Sequence, residues 1–114
     1  MKLVNLTPHS ITIWDGDEVV VDVEPSGSMA RCTEDRRPGD PITVDGHEIP
    51  INSVGFGEVV GLPDPVPGVG YVVSRAVAET VPGREDVFYP DIPVRDEQGR
   101  IVGCRALARA VPRR

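Results

Sequence analysis

The placement of glycine and proline constrains this chain more than any other feature. There are 12 of each in 114 residues, scattered from Pro8 to Pro112. Each proline fixes φ and removes a backbone donor, and each glycine weakens a helix interior. A bundle of long helices is therefore excluded, and short strands joined by tight turns remain. Aromatic residues are only 4% of the chain, so any core must be built from small aliphatic side chains, chiefly valine. The length suits one domain.

Turn chemistry sets the expected strand order. Residues 2–6 alternate as a strand, and Thr7-Pro8-His9 breaks it. Ile11–Trp14 and Val19–Val23 flank Asp15-Gly16, Ile42–Val44 and His47–Ile51 flank Asp45-Gly46, and a third hairpin turns at Asp96–Gly99. Asp-Gly between β-branched runs is a strong hairpin signal, because type I′ turns need positive φ at both central residues. Residues 28–33, 57–62, 71–73 and 86–89 read as further short strands, and the charged stretch 34–41 as an exposed loop. Pro50, within a return strand, marks a sheet edge. One short helix is expected near 74–81, with Ser74 as its N-cap and Pro82-Gly83 as its stop.

The expectation is a mainly β domain with α+β as its close neighbour: a compact antiparallel barrel or sandwich with three tight hairpins and one short helix. The domain spans 1–109, and a basic, frayed tail occupies 110–114, the loss of structure beginning near Ala106.

Charge and motifs bound the function. The net charge of −6 argues against a general nucleic-acid binder. No run of apolar residues is long enough to span a membrane, and the N-terminus turns polar at once, which points to the cytoplasm. Cys32 and Cys104 read as reduced, partly buried thiols. No metal-ligand spacing and no cofactor motif occurs; Gly55–Gly61 has the wrong spacing for a dinucleotide loop, and Pro63 forbids the helix that such a loop must open. Charge is uneven: residues 1–68 hold 4 basic and 12 acidic side chains, residues 69–114 hold 8 basic, all arginine, and 6 acidic.

The best candidate constellation surrounds the helix. Ser74 and Arg75 stand at its N-terminus, Arg84 and Asp86 at the next turn, and Arg95 and Asp96 at the following hairpin. Guanidinium groups beside a helix N-terminus suit a phosphate, and Asp86 or Asp96 could accept from a ribose hydroxyl. Thr7 and His9, fixed by Pro8, are the remaining candidates. The competing reading makes Arg84/Asp86 and Arg95/Asp96 turn-stabilising ion pairs and His9 a turn-packing residue.

Asn5-Leu6-Thr7-Pro8-His9, Gly57–Pro63, Tyr71–Ser74, Arg84–Val87 and Val94–Arg105 together resemble a family of small bacteriophage and prophage proteins, over residues 2 to about 109. The resemblance carries over no catalytic residue. It implies a setting, a small accessory phage protein acting in the bacterial cytoplasm.

Three readings follow. The first is a homo-oligomeric sponge that sequesters a nucleotide-derived, phosphate-bearing signalling molecule through Thr7, His9, Ser74, Arg75, Arg84, Asp86, Arg95 and Asp96. The second is an interaction module that inhibits a host protein through its acidic first half. The third is a phosphate-ester enzyme with His9 as base and Arg75 or Arg84 as clamp; it is the weakest, because no carboxylate sets the protonation state of His9.

Overall fold

The computed structural model describes residues 1–112. Ten strands and one helix follow in the order β1 (Lys2–Asn5), β2 (Ile11–Asp15), β3 (Glu18–Val23), β4 (Arg31–Pro38), β5 (Ile42–Val44), β6 (His47–Ile49), β7 (Asn52–Val60), β8 (Val69–Val72), α1 (Arg75–Thr80), β9 (Val87–Arg95) and β10 (Ile101–Ala108). The molecule is mainly β, as its turn chemistry requires. Six strands, in the order β1-β8-β9-β10-β2-β3, form one curled half-barrel sheet.

That sheet is mixed where an antiparallel one was expected. β1 pairs parallel with β8, β8 parallel with β9, and β10 parallel with β2, while β9–β10 and β2–β3 are antiparallel hairpins. The reason is α1. A helix between two strands returns the chain to the same end of the sheet, so β8 and β9 must run the same way. Ser74 starts the helix by accepting from the Val77 amide at 3.3 Å. Its apolar residues Val77 and Ala78 are buried against the sheet. Alternation along β8 then splits the core. Tyr71 and Val73 join Leu6, Ala30, Val77, Ala78 and Val87 on the helix side, and Val72 joins Ile11 and Cys104 on the other.

All three hairpins form, one in a different frame. At Asp45-Gly46 both residues have positive φ, 49° and 80°, as a type I′ turn needs. In the first hairpin Asp15 pairs with Glu18, so the two-residue loop is Gly16-Asp17. Gly16 alone takes positive φ there, the position that a type II′ turn gives to glycine.

The expected charged loop 34–41 is mostly strand. β4 runs through Glu34, Asp35, Arg36 and Arg37 to Pro38 and pairs antiparallel with β7. The Gly39 amide donates to Ile51 O at 2.7 Å and carries the pairing towards the tip hairpin β5–β6, beyond which Pro50 lies outside any strand. Residues 31–60 are thus one long ribbon that leaves the body. The molecule is accordingly not compact: its radius of gyration is 17.6 Å and its extents are 53 × 39 × 32 Å, whereas a globular chain of this length has a radius of about 13 Å. The C-terminal segment does not fray from Ala106, since β10 continues to Ala108 and Ala110 packs on the core. Of the expected tail 110–114, Arg113 and Arg114 lie outside the described residues.

Candidate functional site

The sequence candidates fall into separate structural roles. Asn5 organises the first group. It is the one buried polar side chain among the described residues, 1% exposed. Its Nδ2 donates to His9 O at 2.7 Å and Val23 O at 3.0 Å, and its Oδ1 accepts from the Thr7 amide at 3.0 Å. The Thr7 hydroxyl lies 2.7 Å from Asn5 Oδ1 and 2.9 Å from His9 O. Thr7 and His9 therefore contribute mainly backbone and hydroxyl to a turn that ties β1 to β3, and the His9 ring is exposed. Sequence reading passed over Asn5, although an Asn two positions before a Thr-Pro is Asx-turn chemistry and legible in the residues.

The arginines are also engaged. Arg84 grips Asp86 through two bonds of 2.8 Å and donates to Pro63 O at 3.0 Å, with both side chains largely covered. The hydrogen bond from Arg84 holds the Asp86 carboxyl below its ordinary range. Arg95 donates to Gly99 O at 2.8 Å. Asp96 closes the same turn, accepting from the Gln98 and Arg100 amides and from Arg100 Nε, and the backbone donors, led by Arg100, lower its pKa. These two clusters stand at opposite ends of β9. Nine residues of strand separate them by about 25 Å, too far for one small phosphate-bearing ligand. The clamp expected from Arg84, Asp86, Arg95 and Asp96 is not assembled, because the strand between them is longer than the 86–89 segment read from sequence. Ser74 spends its hydroxyl on the Val77 amide, and Arg75 pairs with Glu79 at 2.9 Å.

Several concavities mark the surface of the described residues. One, about 550 Å³, is an open apolar groove along His9–Thr12, Pro90 and Ile101–Cys104. Burial pushes the Cys104 thiol up, away from reactive thiolate. Thr7 and Ser74 border a smaller depression of about 240 Å³ with Met29 and Phe56. Arg75 borders a third, about 540 Å³, with Phe56, Tyr89 and Arg109; its guanidinium stands 5.8 Å from the Tyr89 ring centroid. A fourth, about 340 Å³, lies at the ribbon's far end, beside Pro38, Pro41 and Ile51. No group of three or more metal-binding side chains occurs among the described residues, nor does a helix long and apolar enough to cross a membrane.

The ribbon is the surface that sequence reading missed. Its register sets Glu34 beside Phe56 and Arg36 beside Val54 on one face, with Asp35 beside Gly55 and Arg37 beside Ser53 on the other. Phe56 is 57% exposed and Val54 45%. At the tip, Ile42 pairs with Ile49 and Val44 with His47, so the three aliphatic side chains share one face and all are about half exposed. The ribbon's charges cancel locally: Glu34 pairs with Arg36 at 2.9 Å and Asp35 with Arg37 at 3.3 Å. No protein-family model, no curated protein and no solved structure matches the chain.

Proposed function

We propose that this chain is a protein-interaction module, a small accessory protein of the phage type, whose contact surface is the apolar face of the ribbon 31–60. One observation carries the reading: a projecting ribbon holds Phe56, Val54, Ile42, Val44 and Ile49 half-exposed. A two-stranded ribbon is marginal in water by itself, and scattered apolar residues of this number on one arm have no role in the core. The partner is a protein with an apolar patch. Local charge cancellation along β4 disfavours imitation of nucleic acid, and the acidic first half acts here as a solubilising surface around the β2–β3 hairpin.

The test is a photo-crosslinking residue at Val54 in protein exposed to a bacterial lysate, with the crosslinked chain identified, purified and titrated. Phe56→Ser is expected to abolish binding of that purified partner without changing the melting temperature. Undiminished binding by the variant refutes the reading.

A second reading keeps the nucleotide sponge, moved to another place. Two aromatic rings, Phe56 and Tyr89, and two guanidiniums, Arg75 and Arg109, border one depression of about 540 Å³. Stacking and charge of this kind suit a base and a phosphate. Calorimetry against mononucleotides and cyclic dinucleotides tests it, with Tyr89→Ala expected to remove any binding.

A further inference from the structure

We infer that the free edge of β4 pairs antiparallel with β4 of a second copy of this chain, about a two-fold axis at Asp35. The inference rests on the reading of the ribbon as an interaction surface and assigns its edge and its face to different partners.

β4 and β7 form a sheet of two strands only, so β4 presents an unpaired edge along Thr33–Pro38. Three or more strands are needed for independent stability, and joining two ribbons gives four. The charge order along that edge fits its own copy. With the axis at Asp35, Glu34 of one copy stands opposite Arg36 of the other, and Arg36 opposite Glu34. Opposite residues in an antiparallel pair share a face, so both cross-strand pairs lie on the Phe56 side. Thr33 stands opposite Arg37. Asp35 meets its own copy, but each Asp35 already has its own Arg37 at 3.3 Å to offset the repulsion. The arrangement is isologous, as a closed two-fold contact must be.

The outer edge of the large sheet at β3 does not fit in this way. β3 is an outer strand with Val19, Val20 and Val21 exposed. Its charged residues, Glu18 and Asp22, are both acidic, as is Glu24 just beyond, and two copies of such an edge repel. Each face of β4 carries both signs, whereas β3 carries one. Pairing along β4 leaves the apolar face uncovered and doubles it. Phe56 and Val54 from both copies then form one continuous two-fold platform, the surface assigned above to the protein partner.

Asp35→Cys and Ser53→Cys decide the matter in the full chain. Directly opposed residues have Cα atoms about 5 Å apart, within disulfide reach. Oxidised Asp35→Cys is expected to give a covalent dimer. Ser53→Cys is not, because two intervening β4 strands and the offset of Ser53 from the axis hold its copies about 20 Å apart. By light scattering after size exclusion, the parent is expected to be a dimer. Arg36→Glu is expected to weaken the dimer roughly tenfold or more, and Glu34→Arg/Arg36→Glu to restore it. A parent that is monomeric at every concentration, equal crosslinking at position 53, or a double variant no better than Arg36→Glu overturns the inference. A monomer that still binds the purified partner through Phe56 leaves the interaction reading standing. A dimer whose Phe56→Ser variant binds that partner unchanged refutes that reading alone.

Discussion

Replacing Asn5 by aspartate tests whether one amide holds the first turn together. The two side chains have the same shape and differ at one atom, a donating Nδ2 against an oxygen. In the parent, Nδ2 serves His9 O and Val23 O. A carboxylate there would face two carbonyl oxygens with no proton to give, at a site 1% exposed. The Thr7 amide and hydroxyl would still serve the other oxygen. Losing two donor contacts and setting a buried carboxylate against two carbonyl oxygens costs about 3 kcal/mol at neutral pH. For a domain of this size that lowers the melting temperature by about 15 °C. The effect must also depend on pH. Burial and the facing carbonyls raise the folded-state pKa of the introduced carboxyl above its unfolded value of about 3.9. Between those two values the folded state binds the extra proton, so the variant recovers stability relative to the parent as pH falls and loses it as pH rises through the folded pKa. The protonated acid can donate to one carbonyl again. Thermal unfolding followed by circular dichroism at about pH 7.5 and about pH 4.5, on either side of the raised pKa, measures both quantities for the parent and Asn5→Asp. A variant within about 1 kcal/mol of the parent at the higher pH, less than one orphaned buried group costs, refutes the reasoning. So does a deficit that fails to shrink in acid.

Arg84→Met is expected to destabilise the fold by about 1–2 kcal/mol, the range for a charge-assisted pair that is mostly covered, discounted for its remaining exposure. Because Arg84 depresses the Asp86 pKa, that stabilisation is present above the unfolded value of about 3.9 and fades as pH falls through the lower folded value; parent and Arg84→Met melting curves should converge in acid, and parallel curves would contradict the assignment. Gly103→Ala is expected to cost about 2 kcal/mol in chemical denaturation, because an added Cβ would sit 2.5 Å from Thr12 O and 2.6 Å from Trp14 Nε1 at the single β10–β2 pairing. A neutral result would mean that β2 and β10 are not packed this closely. Ile92 is a β-branched residue at φ 56°; Ile92→Gly removes about 1–2 kcal/mol of Cβ strain against about 0.5–1 kcal/mol of added chain entropy. A small net gain in melting temperature is expected, and a loss of several degrees would place ordinary strand geometry at that residue.

Local chemistry was legible in the residues and long-range pairing was not. The Asp45-Gly46 turn, the helix from Ser74 and the stop after Thr80 depend on preferred φ values and on capping within a few positions, so reading along the chain finds them. Arg84/Asp86 is a contact between residues two apart, and the bland reading of it as an ion pair describes its geometry; the Arg95/Asp96 pair of that reading does not form, since Asp96 pairs with Arg100 and Arg95 donates to Gly99 O, both still closing the turn. The 34–41 stretch was different. Glu, Asp and Arg have little intrinsic preference for strand, and β4 exists there because β7, some twenty residues later, supplies the other half of its ladder.

What the sequence determined by itself was the class of structure: breakers every few residues exclude long helices, and valine with Asp-Gly turns leaves short strands in hairpins. Tertiary structure decided the rest. The crossover through α1 made the central strands parallel, and it buried Val72 and Val73 on opposite faces of the sheet. The length of β9 carried Arg84 and Arg95 apart. The pairing of β4 with β7 carried Val54 and the tip aliphatics off the body and left Phe56 exposed beside α1. Each of these depends on which distant strand a segment pairs with, a choice made by the whole chain's burial of apolar surface and invisible to the residues on either side.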